Sequence, residues 1–316
     1  MKIVILDAFR TNPGDVGWGG LEKMGEVVTY DLSTLENTVE RARGAEVVFT
    51  NKTVLTGEML RQLPDLKYIG VLATGINVVD VEAAHELGIA VTNIPAYSTD
   101  SVAETAWALL LSICFRTGEF NEEVHAGRWV ESQNACYGDK GLIELAGLQM
   151  GIVGLGNIGR KVAEVALAFG MKVAVSTSKP AEALPPGMVK MELDEMFATS
   201  DVVSLHCPLI DDTRHLVDAR RLSLMKPSAI LINTSRGLLV DEAALADALD
   251  KRKIYAAGVD VAALEPPQPE NPLFTSPYCV VTPHIAWATK AARIRLVEAA
   301  AENLRVWLEG GELNRV

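Results

Sequence analysis

Three side chains in the second half of the sequence are of types that combine proton transfer with anion binding: Arg236, Glu265 and His284. Histidine is the side chain whose unperturbed pKa lies near neutral pH, which suits a proton donor. A carboxylate beside an imidazole favours its charged form and fixes the ring, and Glu265 stands in a stiff Glu-Pro-Pro segment. The planar guanidinium of Arg236 binds a carboxylate through two hydrogen bonds and also polarises a carbonyl oxygen. This set predicts general acid catalysis on an anionic substrate.

The segment Gly154-Leu155-Gly156-Asn157-Ile158-Gly159 follows a strand pattern and opens a helical pattern. Gly154 permits a tight turn, Gly156 lets a pyrophosphate approach the backbone, and Gly159 allows the helix to pack close to the strand. The phosphates then lie at a helix N-terminus, where free N–H groups and the helix dipole favour negative charge. A glycine-rich turn can serve packing alone, but its place within a strand, helix and strand pattern predicts a dinucleotide site.

The residues after the next strand bear on which dinucleotide binds. An acidic side chain there binds the ribose 2′-hydroxyl of NAD and repels the 2′-phosphate of NADP. The strand here ends in Ser176-Thr177-Ser178-Lys179, and its two hydroxyls and ammonium can donate to a phosphate. The sequence therefore predicts NADP, with Lys179 as the charge partner. NAD is the alternative, because such a turn is ordinary on a surface loop and Pro180 can aim Lys179 elsewhere.

Short apolar, β-branched runs alternate with helical patterns along almost the whole chain. Strands that alternate with helices predict parallel sheets covered on both faces. The catalytic candidates follow such strands, and ligands bind outside the carboxyl ends of strands in these sheets. The runs are KIVIL (2–6), EVVFT (46–50), YIGVL (68–72), IAVTN (89–93), QMGIVG (149–154), KVAVS (172–176), DVVSL (201–205), AILINT (229–234), AAGVD (256–260) and CVVTP (279–283).

Two sets of strands are separated by a helical pattern over 101–117 and a segment over 120–146. We expect an irregular arm over 120–146, since it exceeds the usual loop length, and such a segment usually covers something such as a second subunit. A last helical pattern over 290–308 leaves too little chain for a further domain, so we expect it to fold back onto the first domain. Its expected buried stripe is Ile294, Val297, Ala301, Leu304 and Leu308.

These patterns predict an α/β protein of two Rossmann-like or flavodoxin-like parallel-sheet domains with a cleft between them. The length of 316 residues favours two domains, because single hydrophobic cores stop growing near this size.

The charge balance excludes some partners. Lys and Arg number 29 against 41 Asp and Glu, and the net charge of −12 repels phosphate backbones and anionic lipids. No nucleic acid or membrane surface is therefore expected as a partner. The apolar runs over 3–6 and 106–115 are too short for a signal peptide and a bilayer span, respectively. The four scattered cysteines form no CxxC pair, so reduced thiols in the cytoplasm are expected.

Seven motifs cover nearly the whole chain: ATGINVVD (73–80), TNIPAYSTDSVAE (92–104), GLGNIG (154–159), HCPL (206–209), NTSRG (233–237), GVDVAALEP (258–266) and TPHIA (282–286). In this order they resemble the D-isomer-specific 2-hydroxyacid dehydrogenases, and within that family the glycerate dehydrogenases or hydroxypyruvate reductases. The resemblance implies that Arg236 binds the substrate carboxylate and keto oxygen. It also implies that His284 is the acid/base with Glu265 as its partner. Asp260 is implied to contact the nicotinamide carboxamide, or else it serves as a helix or turn cap.

The same resemblance implies a substrate domain built from both chain ends and a homodimer. The expected domains are 1–99 with 286–316 for substrate and 100–285 for the dinucleotide. It also implies that the loop holding Thr74 and Gly75 presents its backbone to the substrate carboxylate. Lys52 is expected to attract an anion, or else to be a solvated surface lysine. Trp287 is expected to limit the size of the substrate, or else to pack in the interdomain core.

The expected function is NAD(P)-dependent reduction of a small 2-keto acid, hydroxypyruvate or glyoxylate, to D-glycerate or glycolate. One alternative is a D-lactate or phosphoglycerate dehydrogenase, and another is a dinucleotide-sensing binding protein of the corepressor type. The predicted substrate contacts are Lys52, Thr74, Gly75, Arg236 and Trp287. The predicted cofactor contacts are Gly154, Gly156, Asn157, Ile158, Gly159, Thr177, Ser178, Lys179, Cys207, Pro208, Thr213, Thr234, Asp260 and His284.

Overall fold

The computed structural model describes residues 1–132, 134–138 and 141–316, and it divides into two compact units. Unit 1 comprises Met1–Ser98 and Trp287–Val316, and unit 2 comprises Thr99–Ala286. Each unit contains a parallel β-sheet with helices, so the predicted α/β class is confirmed.

Unit 1 contains a five-stranded parallel sheet. Its strands are β1 (Lys2–Ile5), β2 (Glu26–Thr29), β3 (Val47–Thr50), β4 (Tyr68–Val71) and β5 (Ala90–Thr92), and its first helices are α1 (Ala8–Thr11), α2 (Gly19–Glu22), α3 (Leu35–Ala42), α4 (Gly57–Leu60) and α5 (Val81–Glu86). The strand order β2-β1-β3-β4-β5 is that of flavodoxin-like folds. Strands β3 and β4 are buried along their whole length, and an apolar cluster packs on each face of the sheet.

Unit 2 contains a seven-stranded parallel sheet in the order 12-11-10-9-6-7-8. Its strands are β6 (Gln149–Val153), β7 (Lys172–Ser176), β8 (Met188–Lys190), β9 (Val202–Leu205), β10 (Ile230–Asn233), β11 (Ala256–Val259) and β12 (Cys279–Val281). Its helices are α6 (Thr99–Phe115), α7 (Thr117–His125), α8 (Arg128–Glu131), α9 (Asn157–Ala168), α10 (Leu193–Thr199), α11 (Ala219–Leu224) and α12 (Glu242–Asp250). Two apolar clusters again line the sheet.

The C-terminal helix α13 (Lys290–Leu308) belongs to unit 1, but its predicted stripe was partly wrong. Val297 and Leu304 are buried, whereas Ile294 and Leu308 are exposed and Ala301 is half-buried. Arg293 and Asn303 also lie on the buried face, where Arg293 donates to Asp15 and Asn303 donates to the Asn93 carbonyl. The buried residues are Ala292, Arg293, Leu296, Val297, Ala300, Asn303 and Leu304.

The prediction of an irregular arm over 120–146 was wrong for its first part, where α7 and α8 lie. Neither helix has a buried residue, so no apolar period marks them in the sequence. Arg116 and Gly127 precede the two helices with φ of 50° and 91°, a left-handed conformation that separates each helix from the chain before it. Gln133, Asp139 and Lys140 of the predicted arm lie outside the described residues.

Candidate active site

Neighbouring strands of unit 2 deliver most of the predicted site residues. Strands β12, β11, β10, β9 and β6 are successive parallel neighbours, so the loops that follow them lie at one edge of the sheet. The direction of strand addition reverses between β6 and β9, and in such sheets a ligand binds at this switch point. The loops begin at Gly154, His206, Thr234, Asp260 and Thr282.

His284 and Glu265 are in direct contact. The Nδ1 atom of His284 lies 2.6 Å from Oε2 of Glu265, and the two side chains are 26% and 30% exposed. The second carboxylate oxygen of Glu265 accepts the backbone N–H of Ala262 at 3.2 Å. The imidazole is therefore held through Nδ1, and within the described part of the chain Nε2 makes no hydrogen bond, which leaves this nitrogen for a substrate.

Asp260 holds the loop that carries His284. The residue is 1% exposed, and its carboxylate accepts hydrogen bonds from the Thr282 hydroxyl at 2.6 Å and from the backbone N–H groups of Ile285 and Ala286, both at 2.9 Å. The backbone of His284 also donates to the Asp260 carbonyl at 2.7 Å. These contacts stabilise the left-handed conformation of His284, whose φ is 53°. The contact of Asp260 with the cofactor stays a prediction.

Arg236 lies in a loop that is closed by Asn233. The Asn233 amide donates to the Arg236 carbonyl at 2.9 Å and accepts the N–H of Ser235 at 3.0 Å, while the Ser235 hydroxyl donates to Leu205 O at 2.9 Å. The guanidinium is exposed and donates to the Ser235 carbonyl at 2.8 Å. Asn233 was not predicted as a site residue, although a polar residue closing the buried strand β10 is a signal in the sequence.

Gly237 brings the Arg236 loop against the loop that carries Glu265. A Cβ atom at Gly237 would lie 2.0 Å from the backbone carbon of Ala262. Only a residue without a side chain allows this close approach of the two backbones.

The glycine-rich loop fits a dinucleotide. A Cβ atom at Gly159 would lie 2.1 Å from Gly154 O, and one at Gly154 would lie 2.7 Å from Cys207 N, so these two glycines serve packing. A Cβ atom at Gly156 would meet nothing within 4 Å, and Gly156 is the N-cap of α9 without a side-chain cap. The first N–H groups of α9 therefore face open space, as binding of a pyrophosphate requires.

Thr234 provides a second indication that the site fits this cofactor. Its hydroxyl is buried at the end of β10 and has no hydrogen-bond partner among the described residues. A buried polar atom without a partner is costly, and a bound molecule that supplies the partner removes that cost.

Lys179 lies close to the glycine-rich loop, since its ammonium donates to Leu155 O at 2.8 Å. The hydroxyl of Thr177 accepts the backbone N–H of Lys179 at 3.3 Å, and Ser178 is exposed. A second cation lies here that the sequence analysis missed, because Lys190 at the end of β8 donates to the Lys179 carbonyl at 2.7 Å. Its signal, a lysine closing an edge strand, is indistinguishable from ordinary surface charge in the sequence.

The loop after β9 combines half-buried side chains with local hydrogen bonds. His206 pairs through Nε2 with the Ser204 hydroxyl at 2.8 Å, and burial lowers its pKa from 6.5 to about 4. Burial raises the pKa of the Cys207 thiol. Thr213 donates its hydroxyl to Pro208 O at 2.7 Å and so closes the turn after Pro208. Contacts of Cys207, Pro208 and Thr213 with a cofactor remain predictions.

In unit 1, a buried aspartate shapes the loop that carries Lys52. Asp7 is fully buried, and its carboxylate accepts the backbone N–H groups of Asn51, Lys52 and Thr53 at 2.8, 2.6 and 2.9 Å. The Asn51 amide also donates to Leu72 O at 2.5 Å, which ties this loop to the end of β4. Asp7 was not predicted as a site residue, because its partners are far away in the sequence.

The other predicted substrate contacts also lie in unit 1. The Thr74 hydroxyl donates to Ile94 O at 2.9 Å, and the Thr74 carbonyl accepts from the Asn93 amide at 2.8 Å, so the turn that includes Gly75 is held at Thr74. Trp287 packs against the apolar core of unit 1, with its ring edge-on to Tyr97 at 6.4 Å. The two expected roles of Trp287, limiting the size of the substrate and packing in the interdomain core, both stay predictions.

Within residues 1–132, 134–138 and 141–316, no three His, Cys, Asp or Glu side chains are grouped so as to hold a metal ion. No helix in the same ranges has the length and apolar character to span a bilayer.

Comparison with known proteins bears on this site. The model of the NAD binding domain of D-isomer specific 2-hydroxyacid dehydrogenases matches residues 107–286. A hydroxypyruvate reductase from Blautia hydrogenotrophica is 45% identical over 320 aligned positions, which cover 100% of this chain and 99% of the relative. A glycerate dehydrogenase from Methylorubrum extorquens is 41% identical over 285 positions, covering 90% of this chain and 89% of the relative.

Solved structures show the same architecture. An acyclic imino acid reductase in complex with NADPH and D-Arg superposes with a TM-score of 0.84 at 30% identity, with 100% of both chains covered.

Proposed function

Because the chain belongs to the D-isomer-specific 2-hydroxyacid dehydrogenase family and is an NAD(P)-dependent oxidoreductase, we propose that it reduces hydroxypyruvate or glyoxylate to D-glycerate or glycolate. The observation that carries this proposal is the 2.6 Å contact between His284 and Glu265 at the carboxyl edge of the sheet. The names of the two relatives support a small 2-keto acid as substrate.

In the proposed reaction, bound NAD(P)H supplies the hydride that goes to C2 of the keto acid. His284 donates a proton from Nε2 to the C2 oxygen, since Nδ1 is engaged with Glu265. Glu265 stabilises the imidazolium before the proton leaves and keeps the ring in one orientation. Arg236 binds the substrate carboxylate with its guanidinium and polarises the keto oxygen.

The two units take different roles in this proposal. We assign dinucleotide binding to unit 2, whose glycine-rich loop has an open approach at Gly156. We assign the substrate contacts other than that of Arg236 to unit 1, with Lys52, Thr74, Gly75 and Trp287 as the residues involved. The loop geometry supports this assignment for Lys52, because Asp7 fixes the backbone on which that side chain stands.

We propose NADP(H) as the preferred cofactor and NAD(H) as the alternative. The turn over 176–179 offers no carboxylate to repel a 2′-phosphate. Two ammonium groups lie at this turn, Lys179 against Leu155 O and Lys190 against Lys179 O. Each ammonium has three donors, so both can bind a phosphate while they keep these backbone contacts.

The cofactor proposal is tested on the protein without substrate. Calorimetry with 2′,5′-ADP and 5′-ADP isolates the contribution of the 2′-phosphate. We expect K179M and K190M each to weaken 2′,5′-ADP about tenfold, the loss expected for one charge-assisted hydrogen bond, and to leave 5′-ADP within about twofold. Equal affinity of the wild type for both nucleotides would contradict a preference for NADP.

We also propose a homodimer that uses the surface of α8, which lies within the 120–146 segment. Val130 in α8 is 90% exposed and Trp129 beside it is 51% exposed, and such apolar exposure is typical of a covered surface. Light scattering of the wild type and of V130D checks this proposal, with a monomeric wild type as the contrary result.

The free state of all four cysteines supports the proposed location in the cytoplasm.

The reaction is tested by following nicotinamide absorbance with hydroxypyruvate, glyoxylate and pyruvate, each against NADPH and NADH. We expect turnover with the first two acids, and H284A should lower kcat by about 10² to 10⁴, the usual contribution of general acid catalysis. His125 lies on the surface helix α7, so H125A is the matched control and should retain the wild-type rate. If no 2-keto acid is reduced while NADPH still binds, the chain is a dinucleotide-sensing binding protein.

A further inference from the structure

Glu242, the first residue of α12, joins two separate points of the chain. Its Oε1 atom accepts the backbone N–H of Ala263 at 2.8 Å, and its Oε2 atom accepts from the Asn271 amide at 2.9 Å. The amide of Asn271 is itself oriented, because its oxygen accepts the N–H of Leu273 at 3.0 Å. Both donors therefore point at one carboxylate, and both oxygens of that carboxylate are used.

The stretch between these two points contains Glu265, and it is exposed. Every residue over 264–270 is exposed, whereas Ala263 and Asn271 at its ends are half-buried. An exposed stretch contributes few apolar contacts of its own, so its conformation depends on how its ends are held. Glu242 holds this stretch at both ends: at Ala263, shortly before Glu265, and at Asn271, after it.

We propose that Glu242 is a positioning residue for the proton donor: by binding Ala263 and Asn271 it keeps Glu265 against His284. This inference rests on the proposed function, in which the contact between Glu265 and His284 matters for proton transfer. Glu242 acts on the reaction through Glu265 alone.

The donors around Glu242 explain why a carboxylate is needed. Glutamine offers one acceptor oxygen and one NH₂ donor, so in E242Q a donor would face either Ala263 N–H or the Asn271 amide. A half-buried donor that faces another donor loses its partner, and the loop then loses one of its two attachments. Exchanging the partner as well restores the pattern, because in E242Q/N271D the new amide donates to the new carboxylate.

The experiment measures reduction of hydroxypyruvate as a function of pH for the wild type, E242Q, E242Q/N271D and E265Q. We expect E242Q to lower kcat about tenfold, the equivalent of one lost hydrogen bond, with the affinity for NADPH within about twofold. The alkaline limb of the profile should move to lower pH in E242Q, as in E265Q, because the imidazolium loses its carboxylate partner. The double variant should recover kcat to within about threefold.

A matched control separates this effect from the loss of a helix-end charge. Glu195 is an exposed carboxylate in the first turn of α10, and E195Q removes a favourable charge at a helix N-terminus as E242Q does. We expect E195Q to keep the wild-type pH profile. Should E242Q fail to fold, N271A removes the hydrogen bond from Asn271 and keeps the Glu242 carboxylate. This variant should also move the alkaline limb of the pH profile to lower pH.

The outcomes distinguish this inference from the proposed function. If E265Q moves the pH profile and E242Q does not, Glu242 does not position Glu265, and the proposed function stands. If the double variant recovers none of the loss, the hydrogen-bond explanation is wrong. If E265Q and H284A both keep wild-type rates, the proposed function itself is wrong.

Discussion

Asp7 and Asp260 show how the two units use the same physical device for different ends. Each is buried near the carboxyl end of a parallel strand, and each carboxylate accepts three hydrogen bonds from another loop. The three donors at Asp7 are backbone N–H groups, and the loop they belong to carries Lys52. The donors at Asp260 hold a loop in which His284 has a left-handed backbone conformation.

The difference lies in what the held loop presents. A loop that carries a lysine serves binding, which tolerates small shifts because an ammonium attracts an anion over several ångströms. A loop that carries a proton donor serves catalysis, in which a displacement of about 1 Å can cost about a hundredfold in rate. Equal structural damage to the two aspartates should therefore have unequal kinetic consequences.

Of the two aspartate variants, D260N has the larger expected effect. The substitution places an NH₂ group opposite the N–H of Ala286, or opposite the Thr282 hydroxyl and the Ile285 N–H, which share the other oxygen, so at least one of the three contacts is lost. We expect kcat for hydroxypyruvate to fall about a hundredfold as His284 shifts. Steady-state kinetics at saturating NADPH checks this prediction. We expect kcat to fall even if KM for the keto acid does not change.

The matched variant in unit 1 is D7N, which loses one of three contacts in the same way. We expect KM for the keto acid to rise about tenfold and kcat to stay within about threefold, since the loop serves binding. Thermal unfolding should show a comparable loss of stability for both variants, about 1 to 3 kcal/mol each. A fall in kcat as large as that of D260N would remove the distinction between the two units.

Neither aspartate was recognised from the sequence in its structural role, and the reason is physical. The hydrogen-bond partners of Asp7 lie 44 to 46 residues away, and those of Asp260 lie 22 to 26 residues away. A carboxylate after a strand looks like an ordinary turn residue until the tertiary fold supplies its donors. The same holds for Glu242, whose partners are 21 and 29 residues away.

The strands that the sequence analysis found and those it missed differ in burial. Strands such as β3 and β10 are buried along their whole length and show as continuous apolar runs. The missed strands, β2 and β8, are two of the four outer strands and have exposed residues at one or both ends, whereas the outer strand β5, which was predicted, is buried along its whole length. An edge strand has a partner on one side only, so its sequence carries a weaker apolar signal.

Acid should destabilise unit 2 before unit 1, because His206 is held neutral in unit 2. Burial lowers the pKa of His206 from 6.5 to about 4, so between these values the unfolded chain binds a proton that the folded chain does not. The free energy of unfolding therefore decreases as the pH falls from about 6.5 to 4, by roughly 3 kcal/mol at most. Hydrogen exchange at pH 7 and pH 5 should show the larger loss of protection in β9 than in β3.

The variant H206Q isolates this effect, since it removes the titrating group and keeps a polar side chain beside Ser204. Its protection in β9 should change less between the two pH values than that of the wild type. An equal change in H206Q and the wild type would assign the acid sensitivity to other groups.

The smallest expected effect concerns the thiols, all four of which lie in unit 2 and none in unit 1. Burial raises the pKa of Cys114 to about 11 and that of Cys279, which lies near the charge of Glu242, to about 12. It also raises the pKa of Cys207. A disulfide reagent at pH 7 attacks thiolates, so the exposed Cys136 should react first and C136S should abolish this fast phase. Reaction at Cys136 should leave reduction of hydroxypyruvate within about twofold, whereas a fast phase that persists in C136S would show that a second thiol of unit 2 is open to solvent.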